Sequence, residues 1–500
     1  MLRYKLPLAA MWLCLLSDLA LAEALTRIDS GQVQGRPLAD VDRYLGIPYA
    51  QAPLGPLRWR APRNPQAWSG RYQADTFGPV CPQLGNYYTN NNPTTFGQPI
   101  GNEDCLYLNI WAPSKAPVKL PVVVFIHGGA GVYGAASLPL YDGAKLADAL
   151  QAVVVSFNYR LGILGGLHSP ALHGDSAADN SGSFALLDQI QALRWVQRNI
   201  AAFAGDADNV TVMGHSAGCV SSWSLMRSPL ANSLFHKVIC LSGIPLTSTA
   251  EERRERYQQF LQRAWTLRGK PGPVPSIAAQ QREFLYSLST EEITLASTGL
   301  KALTGANDGH VLSADPRQLV NPVPAIIGSV NREASLLLEP LILKLDRQRL
   351  WTQIGRDGAL LSRRELIPSR WQALTYQLAV WQSNRRLLSR VDDSAAQLSQ
   401  SAVPVYRYHF NWTQIPEPWQ WAFGSFHGID LPFIFGNFRA PQQSFTDFAF
   451  PASSAQQLQR THQLFTLSLK GFIDDGKPNK YLPRVAWPEY GQTRQAQPIR

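Results

Sequence analysis

The pentapeptide Gly214-His215-Ser216-Ala217-Gly218 restricts this 500-residue chain more than any other stretch. It follows a β-branched run, Val210-Thr211-Val212-Met213, and precedes small and apolar residues beginning at Cys219. The layout predicts a strand, a sharp turn and a helix. A serine at such a turn is held in strained backbone geometry that pushes its Oγ out from the top of a sheet. Glycines two before and two after it have a steric reason, because larger side chains would collide where strand and helix back onto each other. Two Gly and one Ser at these offsets also occur by chance, so the remaining chemistry has to be found elsewhere in the chain.

The surrounding pattern is that of a mixed α/β protein. Leu106 to Trp111 and Leu120 to Ile126 read as strands, the second a continuous apolar run suited to a sheet buried on both faces. Ala152 to Tyr159, Asn209 to Met213, Val238 to Ser242, Ala325 to Gly328 and Val405 to Phe410 are further strands. Leu186 to Ile200 predicts a helix, with Leu186, Ile190, Leu193, Val196 and Ile200 on one face. Strands alternating with helices argue for a parallel sheet. The charged helical stretches at about 249–299 and 340–400 read as insertions on one sheet rather than as separate domains, so residues 23–500 are expected to form a single domain.

Met1 to Ala22 has the form of a secretory signal: Arg3 and Lys5, an apolar run from Leu6 to Leu16, then Ala20-Leu21-Ala22. Secretion or a periplasmic location follows as the expectation, with four cysteines left in an oxidising compartment. Cys81 and Cys105 bracket a polar, Asn-rich loop that a disulfide would restrain. Cys219 and Cys240 read instead as two buried thiols. No 18-residue apolar run follows the leader, so no membrane span is expected. The formal charge of +10 is spread over the chain, which argues for a solvated basic surface and against nucleic acid. No metal-ligand spacing is present, and oligomeric state is left open.

Gly129-Ala130-Gly131-Val132-Tyr133-Gly134 fits the dinucleotide pattern G-x-G-x-x-G, but that pattern has to open a helix and Pro139 and Gly143 interrupt one. Bare backbone N–H groups after a strand, preceded by His127-Gly128, fit an oxyanion hole better, and no cofactor is expected. A serine nucleophile needs a histidine base and a carboxylate to orient it. Downstream of the serine stand His236, His310, His409, His427 and His462, and His427 lies in a glycine-flanked loop. His215 is too close in sequence to face the Ser216 hydroxyl. Glu333 follows the strand at 325–328, with Asp308 and Glu339 as rivals.

These residues resemble the type-B carboxylesterases, the cholinesterase-like branch of the α/β-hydrolases. The resemblance runs from about residue 25 to Tyr490 through Tyr44-Leu45-Gly46-Ile47-Pro48-Tyr49-Ala50, Glu103-Asp104-Cys105-Leu106, Asn158-Tyr159-Arg160-Leu161-Gly162, Asp188-Gln189, the serine turn and Trp487-Pro488-Glu489-Tyr490. It implies an α/β-hydrolase fold, with a mostly parallel central sheet flanked by helices. It further implies Ser216 as nucleophile, Glu333 as acid and His427 as base, with Gly129, Ala130 and Ala217 as oxyanion donors and Cys81 bonded to Cys105. The substrate would be a small-molecule carboxylic ester.

Three departures stand out. Ala130 replaces a common glycine, at a cost of about 1 kcal/mol if the position needs positive φ. His215 replaces a frequent glutamate, and Arg332 an acidic residue. The 81–105 loop lacks the tryptophan that holds choline in choline-hydrolysing relatives, so choline esters are poor candidates. The alternative function is a catalytically inactive binding or adhesion protein of the same fold.

Overall fold

The computed structural model describes residues 24–86, 89, 92–114, 116, 119–302, 305–342, 363–366, 369–439, 449–485 and 487–499. The signal segment expected at 1–22, and 343–362 of the second expected insertion, lie outside these. Ten strands make one sheet: β1 (Arg36–Pro37), β2 (Val41–Pro48), β3 (Tyr107–Pro113), β4 (Leu120–Ile126), β5 (Val153–Phe157), β6 (Gly205–His215), β7 (Lys237–Leu241), β8 (Ala325–Val330), β9 (Val405–Phe410) and β10 (Gln497–Ile499). Their spatial order is β10-β9-β8-β7-β6-β4-β5-β3-β2-β1. From β10 to β5 every neighbouring pair is parallel, and only the β5-β3-β2-β1 edge is antiparallel. The sheet is thus mostly parallel, and its parallel strands all end at the same edge, where ligands of open α/β sheets bind.

Helices cover both faces because the parallel strands are apolar on both. Along β4, Val122, Val124 and Ile126 enter one core, while Val123 and Phe125 enter the other. The first core is closed by α2 (Phe184–Asn199), through Ile190, Leu193 and Val196. The second is closed by α1 (Ala144–Leu150) and by α8 (Ala455–Asp475), through Phe465, Leu469 and Phe472. The first insertion folds as helices, led by α4 (Ala250–Leu267), whose Thr249 and Glu252 form a reciprocal capping box. Within the second, α6 (Arg370–Ser399) is the described helix of length.

β6 is longer than the Asn209–Met213 expected from sequence, starting at Gly205 and carrying a register shift against β4 between Gly205 and Val210. The short edge strand β10 was not anticipated, since Gln497-Pro498-Ile499 has no alternation to read. Cys81 and Cys105 are bonded, with Cα atoms 5.1 Å apart. Cys219 and Cys240, expected as thiols, are also joined, with Cα atoms 4.7 Å apart. Gly214 explains their meeting. It pairs with Cys240 in the sheet, and its missing side chain lets the backbone at Gly218 and Cys219 settle on top of it.

A buried ion pair ties the end of β5 to α2. The Arg160 guanidinium, just past β5, donates to both carboxylate oxygens of Asp188 on α2 at 2.8 and 2.7 Å, and its backbone N–H adds a third bond at 3.1 Å. Asp188 is fully buried and Arg160 nearly so. Removing one member leaves an uncompensated charge inside the protein. Asp188→Ala should therefore lower stability by about 3–5 kcal/mol in urea unfolding, whereas a surface pair such as Arg36–Asp75 should contribute about 1 kcal/mol or less.

Candidate active site

Ser216 stands between β6 and α3 (Ala217–Arg227) with φ 55° and ψ −115°, a conformation few non-glycine residues adopt. Both flanking glycines are sterically required. A Cβ on Gly214 would lie 2.2 Å from the Gly218 carbonyl oxygen, and one on Gly218 would lie 2.0 Å from the Ile126 carbonyl oxygen on β4. The turn therefore leans on its own helix and on the neighbouring strand. The Ser216 N–H donates to the Leu241 carbonyl on β7 at 2.8 Å, which anchors it from the other side.

Glu333 begins α5 (Glu333–Ile342) directly after β8. One carboxylate oxygen accepts from the Val330 N–H at 2.9 Å, and the other lies 2.6 Å from His427 Nδ1. Burial pushes the Glu333 carboxyl up, but the hydrogen bond and charge of His427 outweigh it and hold it below the ordinary carboxylate range. Burial pulls His427 down, and the hydrogen bond and charge of Glu333 more than reverse that, so the imidazole holds its proton more tightly than a free histidine. The opposed shifts are those of one tight acid–imidazole pair.

The loop that carries His427 is fixed by contacts that the sequence did not single out. The Asn331 N–H donates to Phe410 O and the Arg332 N–H to Ser425 O, both at 2.9 Å. The Ser425 hydroxyl accepts from the Trp412 N–H at 3.1 Å. The Arg332 side chain turns away from the cavity and reaches Gln377 on α6 at 2.9 Å, lying so close to Gly424 that a Cβ there would be 2.4 Å from its Cδ. Arg332 thus serves as a strut for the histidine loop. That role was hidden because both of its partners lie far along the chain.

Gly129, Ala130 and Gly131 form a tight turn after β4, in which the Val132 and Tyr133 N–H groups both bond the Gly129 carbonyl. No helix opens here, since the next α-helix begins at Ala144, which rules out the dinucleotide mode. Gln83, inside the disulfide-closed loop, donates to Gly134 O and accepts from Gly134 N–H at 2.9 and 2.8 Å. It latches that loop to the turn. His127 is buried, stacks on Tyr159 at 4.5 Å, and burial lowers its pKa to about 4.

Ser216, Glu333, His427, Ala130 and Ala217 line one cavity of about 480 Å³, whose other walls include Leu186, Val220, Ile244, Leu337 and Val391. Of the other downstream histidines, His310 is exposed and three are bonded away from the cavity. His236 accepts from the Val210 N–H, His409 meets Ser329, and His462 meets the Phe433 carbonyl. Asp308 caps the turn at 310–312, and the Glu339 side chain lies outside the described residues. Among the described residues no group of His, Cys, Asp and Glu is arranged to hold a metal ion, and no helix is long and apolar enough to cross a membrane.

The sequence model of the carboxylesterase family matches residues 22–359. The chain belongs to the carboxylesterase family. It is 33% identical over 488 residues to the para-nitrobenzyl esterase of Bacillus subtilis (strain 168), covering 92% of this chain and 91% of that one. It is 33% identical over 503 residues to the cocaine esterase of Homo sapiens, covering 91% and 83%. Among solved structures, a PNB esterase superposes with a TM-score of 0.74 at 29% identity over 95% of both chains. A Geobacillus stearothermophilus carboxylesterase at pH 6.2 gives the same score and identity over 95% and 96%. The fold is that of the α/β-hydrolases, and the protein is a carboxylic ester hydrolase.

In this carboxylesterase Ala130 does sit at positive φ, 54°. Ala130→Gly removes the left-handed penalty of about 1 kcal/mol on the methyl but adds chain entropy to the unfolded state worth about 0.5–1 kcal/mol, for a net gain of up to about 0.5 kcal/mol. The shift of the urea midpoint measures it, and a loss of stability would show that the methyl packs favourably.

Proposed function

We propose that this carboxylesterase is secreted and hydrolyses small carboxylic esters through an acyl-enzyme on Ser216, with His427 as base and Glu333 as its orienting acid. The observation that carries the reading is the 2.6 Å contact between Glu333 and His427 in the same cavity as the strained Ser216. His427 takes the serine proton as Oγ attacks the ester carbonyl, and Glu333 steadies the imidazolium. The N–H groups of Gly129, Ala130 and Ala217 receive the developing oxyanion. His427 then protonates the leaving alcohol, and a water activated by the same ring releases the acid and restores Ser216. The filled triad favours this over a non-catalytic binding role. Secretion is supported by the apolar leader and by two disulfides. The sheet runs from residue 36 to residue 499, which supports a single catalytic domain with helical insertions.

The apolar walls suit esters with apolar acyl or alcohol groups. Turnover of p-nitrophenyl butyrate by Ser216→Ala should vanish while circular dichroism and melting stay those of the parent, and full activity in that variant would refute the assignment. The base acts only when neutral, and Glu333 raises its pKa, so kcat/KM should fall as pH drops through a value above 6.5. Glu333→Gln removes that raising charge. Its acid limb should move down, while kcat falls by about 10³–10⁴-fold. A limb that stays in place would separate Glu333 from the base.

A further inference from the structure

His215 supplies one more group to this site. Its ring makes no hydrogen bond to the Ser216 hydroxyl; it packs on His427, with centroids 4.8 Å apart and planes inclined at 40°. The residue is 6% exposed. Two glycines make room for it: a Cβ on Gly128 would lie 3.0 Å from His215 Nδ1, and one on Gly428 would lie 3.3 Å from its Cε1 and 3.4 Å from its Nε2. Neither ring nitrogen has a hydrogen-bond partner. A neutral ring leaves one N–H and one lone pair unsatisfied in that slot; a protonated one would leave two N–H groups and a full charge. That charge would also touch a base that becomes cationic in every acyl transfer.

We propose that His215 is a positioning residue: it fixes the plane of His427 and, by staying uncharged beside it, leaves the acid limit of turnover to the carboxylates around the base. The negative charge acting on the base then comes from elsewhere. Glu333, at the start of α5, bonds it directly. Asp430, opening α7 (Leu431–Phe435), is fully buried, accepts from Tyr408 Oη on β9 at 2.6 Å, and is pushed up by burial to about 6. His127, just past β4, is held neutral by burial. Of the nearby cations, Arg332 is turned to Gln377, Arg407 to Ser329 and Asp392, and Arg160 to Asp188, while Arg390 lines the same cavity as His427. Burial and the His427 charge both drive His215 itself toward the neutral form. A carboxylate at 215 would add a second anion against the base and hold its proton to higher pH.

The inference rests on His427 being the base, and the two claims fail separately. Loss of the acid limb's dependence on Glu333 would sink the triad reading, whereas the following outcomes concern His215 alone. The pH dependence of kcat/KM should have its acid limb unmoved in His215→Gln, whatever the maximal rate, and raised by about one pH unit or more in His215→Glu. A merely structural role would lower the rate in both variants and move neither limb. Coincident limbs in His215→Glu and the parent, or equal shifts in both variants, would overturn the proposal. Should the glutamate variant fail to fold, histidine C2-proton exchange followed by mass spectrometry on the unaltered enzyme decides. His427 should titrate, and His215 should not titrate at any pH at which the fold survives. Titration of His215 alongside the exposed histidines would overturn it.

Discussion

A serine held at φ 55° between a parallel strand and the helix that follows is the constraint around which this carboxylesterase is built. Such a backbone is unfavourable by about 1–3 kcal/mol and persists only where its surroundings leave no alternative. Here they leave none. Gly218 fits against the Ile126 carbonyl, Gly214 against the Gly218 carbonyl, and the Ser216 N–H is bonded to Leu241 on the other flank. Three strands therefore fix one turn. The same crowding brings Cys219 over Cys240 and sets Gly128 so close that a Cβ there would lie 3.1 Å from Ser216 Cβ, so the Gly129–Gly131 turn and Ser216 share one rim.

The second requirement is that the histidine loop, about two hundred residues downstream, reaches that rim in register. Backbone bonds do this work. The ends of β8 and β9 are joined through Asn331 and Phe410, and the segment just beyond through Arg332 and Ser425. Glu333 is then the first residue of a helix whose start is already fixed, and His427 follows two residues after the pinned Ser425. A 2.6 Å contact follows from this arrangement without any flexible reach. The low exposure of the pair strengthens its electrostatics, because little water screens the charges.

Much of this was legible in the chain itself. The apolar run of β4 and the strand at β9 were legible at their observed bounds, and the glycines around Ser216 gave the turn, because these signals are local. Long-range features were harder to read. The Arg332 strut and the Gln83 latch are polar residues whose partners are remote, and nothing in their neighbourhoods announces a role. Cys219 and Cys240 sit in a helix and a strand that each look complete alone; only the fold-back over Gly214 shows them as neighbours. His215 makes no hydrogen bond to the serine, and its contact with His427 depends on two glycines, Gly128 and Gly428, that no spacing rule connects.

Ester hydrolysis by this protein, on the proposed mechanism, requires Ser216 to be the activated nucleophile. Reaction of the enzyme with a dialkyl phosphorofluoridate, followed by peptide mass mapping, tests this most directly. The expected result is a single phosphoryl adduct on the peptide containing Ser216, formed in step with loss of esterase activity. Inactivation with the adduct on another residue, or sustained activity with Ser216 fully labelled, would contradict it.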